Sequence, residues 1–286
     1  MKRKLVKQGN NALTVTLPKK WLDKYNLKAG NEVFIKEHEP EIIITAKPVD
    51  KEKKETIYLD KYKNILQKYI HSLYRQGVTE IEITYSDPQL INQVHKIISK
   101  NIIGYEIIEQ HKNKAIIKSV AEIKEGNYDI MFRRIFRINN SMFESIENQE
   151  SLESLEKTNN KLCNYCRRYI SKRLYEGQTA LLNYLVIETQ ERIGDELLFL
   201  KKLSNKFSST EINYLKIAKE FYELSQKIYF NDNPHEISNE AIKYNDMIDK
   251  LLKSDCSDVI KHYLSNIFHH TGQILSYRLQ LMFLDK

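Results

Sequence analysis

Cysteine is scarce in this chain, and its scarcity limits the chemistry on offer. Cys163, Cys166 and Cys256 are the three cysteines in 286 residues. They are too few for a disulfide framework and fit a reducing compartment. No run of about 18 apolar residues occurs, so no membrane insertion is expected. The charged start has no apolar stretch behind it, so no secretory signal is expected and a cytoplasmic location is predicted. A Gly-rich phosphate loop, a His-Glu-x-x-His pair and a nucleophile elbow are all missing. The sequence therefore offers no catalytic constellation, and the chain is not expected to be an enzyme.

What is present begins with charge. The chain carries 45 Lys and Arg against 38 Asp and Glu, a net charge of +7. Residues 1–28 hold eight basic groups, Lys2, Arg3, Lys4, Lys7, Lys19, Lys20, Lys24 and Lys28, and one acid, Asp23. The remaining residues hold 37 of each sign, so the whole excess sits at one end. A neutral protein with one basic end points to a polyanion-binding module attached to something else. Hydrophobic residues at 41% and charged residues at 29% fit a folded chain, and the length predicts about two domains.

Three regions separate by pattern. Up to about Lys47 the period is near two: Leu13, Val15 and Leu17 alternate with threonines, then come Val33 with Ile35 and the run Ile42 to Ile44. Between them Trp21 to Asn26 reads as one or two helical turns. Pro48 to Glu55 is a charged linker. A helix is expected over Tyr62–Gln76, stopped by Gly77, then a strand in VTEIEITY, a helix opened by Asp87 and Pro88, and a hairpin turning at His111–Lys114. Beyond Tyr128 only helices are expected, over 128–148, 151–175, 178–205, 209–231, 235–253 and 256–284.

The stretch KRKLVKQGNNALTVTLPKKWLDKYNLKAGNEVFI combines a basic first strand, a Gly turn, a second strand ending in Leu-Pro-Lys, a short helix and Leu-x-x-Gly-x-x-Val. In this it resembles the AbrB/MazE-type swapped-hairpin DNA-binding domain, over residues 1–47. The resemblance implies that two copies interleave hairpins into one small β-barrel, an obligate homodimer filled by Val6, Leu13, Val15, Leu17, Trp21, Leu22, Leu27, Val33, Ile35 and Ile43. Pro18 ends the strand and suits the first helical turn. Lys19 and Lys20 would then sit at a basic rim with Arg3, Lys4 and Lys7. Phosphate contacts from these side chains would supply affinity, and Arg3, Asn10 and Asn11 could read base edges. The plain alternative is a solvated charged surface. Another is a dimerising module that holds a protein partner, as antitoxin members of the family do.

The helical part carries YLVIETQ followed by ERIGDEL, Glu191 to Leu197, and a weak echo in HHTGQIL. It resembles the PhoU family of phosphate-uptake regulators, built from two three-helix bundles. The fold expectation is thus multidomain α+β: the small barrel over 1–47, a small α/β module over 55–122, and an all-α PhoU-like pair of bundles over 128–286. The resemblance makes Glu191 and Asp195, one turn apart, candidate ligands for a divalent or ferric metal ion. The second repeat departs from the family, with His269 and Gln273 at the corresponding positions. The competing reading pairs Glu188, Glu191 and Asp195 with Arg192 or Lys202 on an exposed face. Cys163-x-x-Cys166 lacks a second pair and reads as core packing, and His269-His270 as structural or surface residues. Two functions follow. One is a DNA-binding transcriptional regulator of phosphate uptake, with the helices as sensor or partner unit. The other is an adaptor for a phosphate transporter or signalling protein, with the first module only dimerising.

Overall fold

The computed structural model describes residues 1–9, 12–38, 41–46, 53–121, 125–172, 177–231 and 246–284. By their internal contacts these fall into two units, Met1–Lys51 and Glu52–Lys286.

In the N-terminal unit β1 (Val6–Gln8) pairs antiparallel with β2 (Ala12–Thr14), Val6 opposite Thr14. Gly9 follows β1 at φ +71°, the left-handed region that a side chain disfavours. Pro18 precedes α1 (Lys19–Lys24), and its carbonyl accepts from the backbone N–H of Trp21 and Leu22. The helix stops where Asn26 turns left-handed at φ 53° and the Leu27 N–H returns to the Leu22 carbonyl at 2.9 Å. A second hairpin joins β3 (Phe34–His38) to β4 (Glu41–Thr45). Strand, strand, short helix, strand, strand is the order expected from the alternation.

The second unit starts with a four-stranded sheet in the order β5-β6-β8-β7. Here β5 (Lys54–Tyr58) and β6 (Glu80–Thr84) are parallel, joined through α2 (Leu66–Arg75). Then α3 (Pro88–Asn101) leads into the hairpin of β7 (Tyr105–Gln110) and β8 (Lys114–Ser119). Asp87 caps α3 by accepting from the Gln89 N–H at 2.8 Å. One sheet face buries Ile81, Ile83, Ala115 and Ile117 beneath α2 and α3. On the other face Glu80 meets Lys54 at 3.2 Å and Lys118 at 3.0 Å, and Glu82 meets Lys114 at 2.6 Å.

Two local expectations change. β5 takes in the end of the stretch read as linker, because parallel pairing with β6 needs only one buried residue there, Ile57. The helix expected from Tyr62 begins at Leu66. Leu59–Ile65 is a 3-10 turn, tied down where Asp60 accepts from the Ser86 N–H and hydroxyl.

The helices that follow are α4 (Glu125–Glu147), α5 (Glu153–Ser171), α6 (Gln178–Leu203), α7 (Ser209–Phe230), α8 (residues 246–252) and α9 (Asp258–Leu284). Most of the segment expected as a helix over 235–253 lies outside the described residues. Ser208 and Glu211 form a reciprocal capping box at the start of α7. One continuous core runs from α4 to α9, with Phe136, Phe143, Tyr222 and Phe268 fully enclosed, so among the described residues no separate core marks off two bundles. The α/β layer is packed onto this body. Arg168 of α5, 1% exposed, donates to the Tyr74 carbonyl at 2.7 Å and lies against the rings of Tyr74 and Tyr105.

Candidate nucleic-acid interface

The N-terminal unit presents its cations freely. Arg3, Lys4, Lys7, Lys19 and Lys20 are all exposed, and none has an ion-pair partner among the described residues. Lys7 lies on β1 across from Leu13, while Lys19 and Lys20 occupy the first turn of α1. Pro18 sets that turn, so the two lysines are carried on backbone with little freedom. Asn10 and Asn11 lie outside the described residues.

The apolar side chains of the same unit are not enclosed. No described residue of the unit is buried, and Leu13, Ile35 and Ile42 are 63%, 64% and 66% exposed. Val6 and Val15 are likewise exposed, while Leu17, Trp21, Leu22, Leu27, Val33 and Ile43 are half-buried. Apart from Ile42, this is the residue set the resemblance assigns to an interleaved core.

In the body, Glu191 and Asp195 share one face of α6, but Glu191 already has cationic partners. Arg167 of α5, wholly buried, is ion-paired to Glu191 and, at 2.7 Å, to Glu188; Arg75 of α2 reaches Glu191 at 3.7 Å. Burial works against the Arg167 charge, and Glu191 and its neighbours more than offset it, so the guanidinium pKa is raised. Asp195 keeps a solvent-exposed side, yet its carboxyl is pushed up to about 6. The packed surroundings come first, then Glu191, Glu156 and Glu196. Among the described residues no three His, Cys, Asp or Glu side chains converge as they would around a metal ion. Gly194, between the two acids, faces buried amides: a Cβ there would lie 2.5 Å from Asn159 Nδ2 and 3.3 Å from Asn139 Oδ1. Cys163 and Cys166 are buried free thiols, both pushed up by burial, and belong to the core. His269 meets Gln273 at 3.1 Å on the exposed side of α9.

The first unit has a relative. Residues 6–54 match the family model for antidote-toxin recognition MazE, bacterial antitoxin. This MazE-like segment covers both hairpins and the helix between them. No PhoU-like family is detected in the helical part. No characterised protein and no solved structure matches the chain. Among the described residues, no helix is long and apolar enough to cross a membrane.

Outside the MazE-like segment, sequence reasoning missed Arg75 and Arg168, which join the α/β layer to the helices, and Arg167, which ties α5 to α6. For Arg167 and Arg168 a signal was there: they interrupt a largely apolar run, LCNYCRRYI, where an exposed face would have alternated.

Proposed function

We propose that this chain is a homodimeric DNA-binding transcriptional regulator, not an enzyme, whose MazE-like segment holds DNA and whose body serves as sensor or partner unit. One observation carries the reading: residues 1–28, whose charge equals the net charge of the whole chain, lie in the one unit that buries none of its described side chains. Both halves of that observation fit the same arrangement. A segment of this length cannot close a core alone, so a second copy covers the apolar faces. Doubling the segment also doubles the unpaired cations, which suits the phosphate backbone of DNA. The finer assignment, control of phosphate uptake, rests on the likeness of residues 128–286 to PhoU proteins in sequence alone.

The match to an antitoxin family favours a second reading, in which the segment dimerises and the chain holds a protein partner. Salt dependence of DNA binding separates the two. Replacing Arg3, Lys4, Lys19 and Lys20 by Ala is expected to abolish binding to promoter-region DNA. Single replacements should lower the log–log salt slope by about 0.9 for each phosphate no longer neutralised. Unchanged DNA affinity in the quadruple variant would favour the partner-binding reading.

A further inference from the structure

A cavity of about 580 Å³ opens in the α/β layer between the start of α2 and the middle of α3. Lys63, Lys68 and Lys96 line it, together with the amides of Asn64, Gln67 and Gln93. No acidic residue is in its lining, and buried Leu66 and Ile97 contribute an apolar floor. Elsewhere in the same layer Lys54, Lys114 and Lys118 each meet Glu80 or Glu82. The three cavity lysines have no such counter-charge among the described residues. The first turn of α2 beside them also lacks an acidic residue and a side-chain cap.

This contrast is chemical. Three cations gathered around one concavity repel one another, and an anion placed among them relieves that repulsion. The volume falls within the range of small-molecule sites, which combine an apolar floor with a few polar groups. Amide side chains at the rim offer carbonyl acceptors as well as donors, and those acceptors suit the N–H and O–H groups of an organic part.

We propose that this cavity binds a phosphorylated small molecule of nucleotide size. Its phosphates would lie among Lys63, Lys68 and Lys96, and its organic part against Ile97 and the amides. The site belongs to the body and does not depend on DNA binding by the MazE-like segment.

Calorimetric titration of the full chain with ATP, tripolyphosphate and inorganic phosphate tests this. ATP is expected to give saturable binding at one per chain, tighter than either inorganic probe. Lys63→Gln, Lys68→Gln and Lys96→Gln should each weaken it about five-fold, and the triple variant about a hundred-fold. These lysines are exposed, so the variants should melt like the wild type. The quadruple variant of the N-terminal unit should still bind ATP, which separates this proposal from the DNA reading. No saturable binding of ATP, or ATP binding unchanged in the triple variant, would overturn the site. Tripolyphosphate binding as tightly as ATP would overturn the assignment of a nucleotide-sized ligand. A lower DNA salt slope in the triple variant would make the groove a polynucleotide contact and overturn it as well.

Discussion

In the N-terminal unit Leu13, Ile35 and Ile42 stay mostly exposed, whereas in the body Tyr74, Phe136, Tyr222 and even Arg167 are enclosed. The first unit has the alternation of a sheet protein, yet none of its described residues is buried. The body closes two cores of its own, one under α2 and α3 and one through the six helices. Chain length explains the contrast, since burial rises with size and about fifty residues enclose too little. On the proposed reading one unit is completed by association and the other by its own chain.

Separating the units is the strongest way to break that comparison. Residues 52–286 should unfold cooperatively at a temperature independent of concentration. Residues 1–51 should sediment as a dimer, with a melting temperature that climbs over a roughly hundred-fold rise in concentration. A well-folded monomer of residues 1–51 at micromolar concentration would refute the interleaved dimer.

The enclosed body can be probed at Arg168. Arg168→Met keeps much of the volume but removes the donor to the Tyr74 carbonyl and the charge between two tyrosine rings. We expect a loss of about 3 to 4 kcal/mol in denaturant unfolding of the body, with DNA affinity unchanged. A loss below about 1 kcal/mol would mean that the layer and the helices are not held together by Arg168.

Acid should act on the body next. His71 is buried, its Nε2 has no hydrogen-bond partner among the described residues, and its pKa is lowered to about 4 by burial, with Arg75 and then Arg167 adding to it. A lowered folded pKa means that the unfolded chain binds the proton more readily. Stability is therefore lost as pH falls from about 6.5 towards 4, by roughly 2 to 3 kcal/mol. His71→Phe should flatten that part of the pH–stability curve; an unchanged slope would assign acid sensitivity to other groups.

Asp195 gives the smallest effect, with the opposite sign. Its raised folded pKa means that ionisation is opposed in the native state, so stability falls as pH rises from about 4 to about 6. Solvent on its exposed side screens the repulsion, so Asp195→Asn should stabilise the protein at neutral pH by less than about 1 kcal/mol. The gain should shrink towards pH 4. Equal melting temperatures of variant and wild type at both pH values would show that neither the packed surroundings nor Glu191 and Glu156 oppose its ionisation.

Much of this architecture was legible in order along the chain. The 2-fold alternation marked the hairpins, Gly77 and Asp87-Pro88 bounded the helices of the α/β layer, and the position of the charge excess marked the basic unit. β5 was not legible, because a five-residue strand with one buried side chain leaves almost no periodic signal, and its partner β6 is brought to it only by the fold. Spacing put Glu191 and Asp195 on one face of a helix by itself, since a turn of helix fixes which side chains are neighbours. What faces them was a tertiary decision. Arg167 arrives from a neighbouring helix and Arg75 from the α/β layer, and periodicity within one helix carries no information about which charges other elements bring to its surface.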